Sequence, residues 1–209
     1  HQLTRRQRQM CIRDRCYAWG EYKFGIGKKY KTFCCITLGT GIGCAYVDSG
    51  NLFSGGHPWG GVLGGHISID RNGPTCDCGN IGCFEMYCSK NGILRILGES
   101  MPSMLASPDP VISFFSSVRD GNINSKEIFN SFLCNLATGL VTIINLYSPN
   151  AIILGGGIMN SSDIFLNKLK ELVSERALIV SGIECSIEKA TLGNYAPLLG
   201  AAFLPKMEN

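Results

Sequence analysis

The chain has 209 residues, of which 45% are hydrophobic and 17% charged, and its formal net charge is +3. Residues 1–15 alone hold five arginines against one aspartate, so the rest of the sequence offers neither a basic face for nucleic acid nor an acidic tail. Eleven cysteines without an apolar leader segment argue against a disulfide-stabilised secreted protein, and we therefore expect a cytoplasmic one.

Periodicity and turn residues predict the elements in chain order. The first half yields strand 30–38, glycine turn 39–43, strand 44–50, glycine-rich loop 51–65, short strand 66–70, cysteine-dense loop 76–83, and helix 84–100, which Gly92 interrupts. The second half yields connector 101–110, helix 110–121, helix 126–147, strand 151–157, helix 161–178, strand 183–190 and helix 195–206. The first two strands predict a hairpin, and the later alternation of strands and helices predicts a layered α/β domain.

The most apolar long segment, residues 132–147, predicts a buried helix rather than a membrane span. It is short for a bilayer and carries Asn135, Thr138 and Asn145. Apolar residues recur through it at helical spacing, as expected for a helix with one face in a protein core. We therefore expect no membrane partner.

Three cysteines at C-x-C-x4-C spacing predict a structural zinc site. Cys76, Cys78 and Cys83 supply soft ligands, and the glycines between them allow a tight loop around an ion. Cys88 is a weaker fourth ligand because it falls inside a predicted helix. His66, ten residues upstream, is the better candidate, and a closed Cys3His site of this kind is structural rather than hydrolytic.

The segments GTGIGCAYVDSGNLFSG, GGHISID and GPTCDCGNIGCFEMYCS, taken together, resemble the signature of the ROK family. SPNAIILGGGI and LGNYAPLLGAAFL resemble its later segments, in the same order, and the likeness covers about residues 16–204. That family groups bacterial sugar kinases with sugar-responsive repressors. The resemblance implies an α/β, actin-like ATPase (ribonuclease-H-like) fold, here mainly its larger C-terminal lobe with the zinc loop.

The resemblance also implies site residues. His66 would bind both zinc and the sugar, and Glu85 would bind sugar hydroxyls. The implied ATP contacts lie in a phosphate loop and in a turn beside the adenosine: Gly39, Thr40, Gly41 and Gly43, and Gly155, Gly156 and Gly157. No Walker A lysine follows either glycine motif.

Three features depart from the family pattern. Leu63 replaces a sugar-binding glutamate that family kinases usually carry three residues before the histidine. No Asp-x-Gly-Gly-Thr phosphate loop is present. Alignment on Gly20 and Glu21 puts the family's catalytic aspartate at Arg13, and Asp14, one position away, is expected to point elsewhere. No catalytic residue is therefore assigned.

The sequence therefore predicts two regions. Residues 1–15 resemble translated sequencing-adapter text and are expected to be foreign or disordered, whereas residues 16–209 match the C-terminal lobe, with the zinc motif at 66–83. The last helix, about 195–206, is expected to pack on a missing first lobe and to expose apolar surface without it.

The expected parent protein is an ATP-dependent kinase of a hexose or N-acetylhexosamine, using ATP and Mg²⁺ and forming a homo-oligomer. This chain would be inactive alone, because it lacks the catalytic aspartate and the first phosphate loop. An alternative is the sugar-binding half of a repressor, which would bind DNA through a further domain. A zinc ribbon that binds nucleic acid is disfavoured, because Asp70, Asp77 and Glu85 surround the cysteines and Arg71 is the single base nearby.

Overall fold

A five-stranded sheet with helices on both faces forms the computed structural model, which describes residues 5–56, 61–177 and 184–204, with side chains from residue 12 onward. The strands are β1 Thr32–Leu38, β2 Ile42–Asp48, β3 Asn51–Leu52, β4 Ala151–Gly155 and β5 Ser186–Lys189. The helices are α1 Arg5–Phe24, α2 Glu85–Cys88, α3 Lys90–Ser100, α4 Pro110–Arg119, α5 Ile123–Tyr147, α6 Leu166–Arg176 and α7 Ala196–Ala202.

The sheet has the order β3-β2-β1-β4-β5, and its strand directions decide where a site can form. β1 and β2 are antiparallel, with Leu38 opposite Ile42, which confirms the predicted hairpin. β1 and β4 are parallel, with Thr37 opposite Gly155. The carboxyl ends of β1 and β4 therefore lie at the same edge of the sheet.

Two apolar layers cover the sheet. Alternate β1 residues divide between them, because successive side chains of a strand point to opposite faces. Cys34 and Ile36 join the larger layer with α2–α6, and Phe33 and Cys35 join the smaller one with α1 and α7. With both faces covered, β1 and β4 read as continuous apolar runs.

The buried helix predicted over 126–147 is α5. Asn122 caps its first turn, its side chain accepting from the Ser125 N–H, and the helix ends at Ser148, whose φ of 44° leaves the helical range. α5 is long and apolar enough to cross a membrane by length and composition. Leu136 and Leu140 are nevertheless fully buried in the larger core layer, which is the packing of a core helix.

Three segments differ from their predicted form. The helix predicted over 84–100 breaks at Ser89, whose ψ of 168° ends α2 and whose hydroxyl caps α3, and Gly92 continues α3. Residues 66–70 hold a 3-10 turn, Gly64–His66, and a single bridge from Ser68 to Cys83 instead of a strand. The segment from residue 157 begins as 3-10 turns, Gly157–Ile164, before α6 starts.

α1 and α7 pack closely on the same face of the sheet. A side chain at Gly20 would overlap the Ala196 carbonyl, so the glycine permits the close approach of the two helices. The Trp19 indole N–H also donates to the Phe203 carbonyl at 2.6 Å.

The predictions for the two chain ends stay predictions. Residues 5–15 belong to α1, which does not test their origin, and residues 1–4 lie outside the described part of the chain. α7 exposes Leu198, and Phe203 beside it is also exposed, but nothing in the chain tests whether a further lobe covers them. Residues 205 and 206 of the predicted helix, and residues 178 and 183 of two other predicted elements, also lie outside the described part.

A buried carboxylate joins the end of α1 to the segment that follows β5. Glu21 is 0% exposed. Its Oε1 accepts from the Leu192 N–H at 2.8 Å, and its Oε2 accepts from the Ile26 N–H and the Thr191 hydroxyl, both at 3.1 Å. Each donor is thereby satisfied away from water, which offsets the cost of burying the charge.

We expect Glu21→Gln to lower the free energy of unfolding by about 2 kcal/mol, because its amide would face N–H groups that need an acceptor. The measurement is urea denaturation. Glu127→Gln, on an exposed position of α5, should change the value by no more than about 0.5 kcal/mol. Equal stability of the two variants would contradict this role for Glu21.

Candidate functional site

The four predicted zinc ligands lie together. The Nδ1 of His66 is 3.7 Å from the sulfur of Cys76, and the sulfurs of Cys78 and Cys83 are 3.6 Å apart. All four ligand atoms lie within 4.8 Å of one another. The fold therefore brings the imidazole nitrogen of His66 together with three thiols of a loop that begins ten residues later.

This donor set fits zinc. A tetrahedral ion with Zn–S bonds of about 2.3 Å holds its sulfurs about 3.8 Å apart, close to the separations found here. Burial and the neighbouring thiols raise the pKa of Cys83 to about 12. The Cys83 thiol therefore holds its proton until a metal ion displaces it.

The backbone of the loop accounts for this arrangement. Gly79 and Gly82 have φ values of 91° and 64°, which favour glycine. The Cys76 N–H donates to the Asn80 carbonyl and the Gly79 N–H donates to the Cys76 carbonyl, both at 2.8 Å. These bonds close a compact turn that points its sulfurs inward.

Glu85 and Gly65, the residue before His66, both lie against the start of β2. Gly65 packs so closely on the Ile42 carbonyl that no side chain would fit there. Glu85 Oε2 accepts from the Ile42 N–H at 2.8 Å. Glu85 and the residue before His66 thus meet a single residue of the hairpin, inside the glycine turn.

The two predicted nucleotide motifs also meet. Gly156, with φ at 91°, packs directly on the backbone of Leu38, so the turn after β4 touches the turn after β1. Gly157 has open space beside its Cα, and the Gly39 N–H donates to the Gly41 carbonyl at 3.0 Å. Such a crevice beyond the carboxyl ends of neighbouring parallel strands is a common ligand site in α/β sheets.

Tyr17 occupies part of the turn after β4. Its ring leaves no room for a side chain at Gly155, and its hydroxyl accepts from the Gly156 N–H. Burial raises the pKa of Tyr17, so the hydroxyl stays neutral. The Gly156 N–H is therefore already used within the protein.

Asp14 is the site residue that sequence reasoning set aside. Its side chain is 6% exposed and fills the space beside Gly43, and it accepts from the Thr37 hydroxyl at 3.3 Å. Burial is the main cause that raises the pKa of Asp14 to about 6, although Arg13 opposes the shift. Arg13, at the family's aspartate position, is exposed.

A helical pattern in the sequence could have located Asp14. It lies three, four and seven residues before Tyr17, Ala18 and Glu21, which are all buried on the sheet side of α1. A carboxylate on such a face is either bonded or functional. Leu63, by contrast with the buried Asp14, is 55% exposed.

A separate cavity of about 770 Å³ lies at the opposite edge of the sheet. It opens between the end of α5, α6 and the start of β5, with Ser148 and Ser186 in its wall. None of the predicted site residues lines it. The convergence of the glycine turns with Glu85 and the His66 segment is therefore the better-supported site.

Comparisons with known proteins agree on one family. The model of the ROK family matches residues 10–208. The xylose repressor of Bacillus subtilis is 33% identical over 183 residues, covering 88% of this chain and 46% of the repressor. The glucokinase of Streptomyces coelicolor is 31% identical over 206 residues, covering 90% of this chain and 64% of the glucokinase.

A solved structure agrees with the fold. A ROK family glucokinase from Streptomyces griseus, in complex with glucose and AMPPNP, superposes with a TM-score of 0.76 and 29% identity. The match covers 93% of this chain and 66% of that one. The predicted α/β fold of the actin-like ATPase type is thereby confirmed, and the chain spans about half to two thirds of the length of these relatives.

We expect the purified chain to carry about one zinc ion, and Cys78→Ser to lose most of it because one of four ligands is removed. Metal analysis by mass spectrometry measures both. The matched control is Cys134→Ser, at an exposed thiol outside the cluster, which should keep its zinc. Equal zinc content in the two variants would contradict the ligand set.

The buried Asp14 should make stability depend on pH. Its pKa rises from 3.8 to about 6 on folding, so its contribution is fully present below the unfolded value and is lost as pH rises through about 6. Between about pH 4 and about pH 7, the unaltered chain should lose about 3 kcal/mol relative to Asp14→Asn.

Urea denaturation at each pH measures this difference. The exposed Asp120→Asn serves as the control and should leave the pH dependence as it is. A pH dependence that survives in Asp14→Asn would show that another group is responsible. Thr37, Arg13 and Glu85 are the neighbours that act on this carboxyl group.

Proposed function

The chain belongs to the ROK family, and on that premise we propose that it is the sugar- and nucleotide-binding lobe of a longer ATP-dependent hexose kinase. One observation carries the proposal: inside the glycine loop, the Ile42 N–H donates to Glu85, and the Ile42 carbonyl packs on Gly65, the residue before His66. A sugar hydroxyl held by these two side chains would lie beside the phosphates of a nucleotide held by that loop. Proximity of this kind supplies much of the catalysis in phosphoryl transfer.

On the sugar side, each side chain has one atom fixed and another available. His66 directs Nδ1 toward the cysteines, which leaves Nε2 to meet a hydroxyl. Glu85 uses Oε2 for the Ile42 N–H, and its other oxygen would accept from the sugar. Zinc, when bound, would hold the imidazole ring in one orientation.

On the nucleotide side, backbone groups do the binding. The loop of Gly39, Thr40, Gly41 and Gly43 would cradle the phosphates together with Mg²⁺, and the turn of Gly155, Gly156 and Gly157 would border the adenosine. Because Tyr17 takes the Gly156 N–H, that glycine contributes its shape rather than its donor. Gly157 faces open space, so a nucleotide would contact Gly157 more closely than Gly156.

We propose that this chain does not turn over by itself. Arg13 stands at the family's aspartate position and is exposed, and Asp14 packs against Gly43 from a position one residue along α1. A general base has to reach the hydroxyl it deprotonates within hydrogen-bond distance, and this chain contains no Asp-x-Gly-Gly-Thr sequence for the first phosphate loop.

The second candidate is the sugar-binding half of a ROK repressor. It is favoured by the 33% identity to the xylose repressor and by Leu63 in place of the glutamate, a substitution that removes one sugar contact. A repressor needs to bind the sugar but has no need of ATP. The two candidates therefore differ in whether the glycine turns bind a nucleotide, and DNA is a partner only of the second.

Glucose binding by the 209-residue chain tests the shared sugar site. We expect calorimetry to detect glucose binding, and Glu85→Gln to weaken it by about tenfold, since a charged acceptor for a hydroxyl is lost. The variant keeps an oxygen for the Ile42 N–H, so it should fold normally. Glu99→Gln, an exposed glutamate on α3, is the control and should bind glucose as the unaltered chain does.

N-acetylglucosamine is tested alongside glucose to separate the two sugar classes, and a coupled ATP–glucose assay accompanies both titrations. Binding without turnover supports the proposal. Turnover by this chain would contradict its inactivity. Failure of both sugars to bind, with zinc in place, would contradict the sugar site.

A further inference from the structure

A lysine borders the glycine loop after β1, and neither the sequence motifs nor the family relationship gives it a role. The N–H of Lys90, the first residue of α3, donates to the Gly39 carbonyl at 2.7 Å. The next N–H, of Asn91, donates to the Thr40 carbonyl at 3.3 Å. The start of α3 is therefore bonded to the same loop that the proposed function assigns to phosphate.

These two bonds fix the direction of the loop. Its carbonyls at positions 39 and 40 are turned toward α3, so its carbonyl oxygens do not repel an anion on the other side. The backbone of Leu38, one residue earlier, touches Gly156 in the turn after β4. A nucleotide that lay across both turns would thus be separated from the main chain of Lys90 by the loop, and the Lys90 side chain would have to extend past the loop to meet it.

The side chain of Lys90 is available to such a ligand. The Lys90 side chain is 46% exposed and the Asp109 side chain is 40% exposed. The Lys90 Nζ lies 3.9 Å from the Asp109 Oδ2. An exposed ion pair of that length contributes little to the free energy of folding. Asp109 also caps α4, because its Oδ1 accepts from the Val111 and Ile112 N–H groups at the start of that helix.

We propose that Lys90 is the cationic contact for the phosphates of a bound nucleoside triphosphate, reached by exchanging Asp109 for a phosphate oxygen. This inference rests on the proposed function, since it supplies a charge to the same nucleotide site. An ammonium group on a flexible four-carbon stem suits a phosphate as a point charge. The backbone bonds keep the stem anchored at the loop while the ammonium group moves.

The test compares nucleotide affinities of the 209-residue chain by equilibrium dialysis with Mg²⁺–ATP and with adenosine. Lys90→Met keeps the length of the stem and removes its charge, so it should weaken ATP binding by about tenfold. Adenosine binding should stay the same, because adenosine carries no phosphate. Lys90→Arg should restore most of the ATP affinity, and the dependence of ATP affinity on salt should be shallower in Lys90→Met.

Lys168→Met provides the matched control. Lys168 is an exposed lysine on α6 that forms a 3.1 Å surface pair with Glu171, and it should bind ATP as the unaltered chain does. Equal ATP affinity in Lys90→Met and the unaltered chain would overturn the role of Lys90 alone. Failure of the unaltered chain to bind either ATP or adenosine would overturn the nucleotide site itself and favour the repressor candidate.

Discussion

The hydrogen bond from the Ile42 N–H to the Glu85 carboxylate, at 2.8 Å, joins the cysteine loop to the first residue of β2. The carbonyl of the same residue packs on Gly65, next to His66. The backbone of one hairpin residue therefore contacts Glu85 directly and the His66 segment through Gly65. Glu85 follows the last cysteine by two residues and His66 is itself in the cluster, so the metal loop and the hairpin are held as one unit.

This junction explains why a structural metal would matter for a binding site. A bound ion would hold four side chains, and its influence would pass through the His66 ring and through the short link from Cys83 to Glu85. Loss of the ion would release the ring and loosen the turn that carries Glu85. The sugar contacts would then have to be ordered at the moment of binding, which costs free energy that a preformed site does not lose.

The sequence was informative where a function needs particular residue types close together in the chain. The spacing of three cysteines and the upstream histidine predicted a cluster that the structure brings within 4.8 Å, and the glycine turn between two apolar runs predicted the hairpin. It was uninformative where tertiary contacts decide. Ser89 breaks the helix before Gly92 because its hydroxyl caps α3, and the bond from Lys90 to Gly39 joins residues that no local pattern relates. Asp14 combines both cases. Its helical spacing in the sequence indicates that it is buried, but only the tertiary structure shows that it faces Gly43.

A site built on one side of a cleft has a definite physical consequence. On the proposed function, the described residues would supply donors and acceptors to a sugar through His66 and Glu85, and backbone groups to a nucleotide through two adjoining turns. Binding free energy can accumulate from contacts on one side, since each contact adds separately. Phosphoryl transfer is more demanding, because the donor and acceptor atoms have to be aligned and shielded from water at the same time. On the proposed function, a lobe that covers 46% to 66% of its relatives' length would bind both substrates and would still leave their reaction to the closure of a second lobe over them.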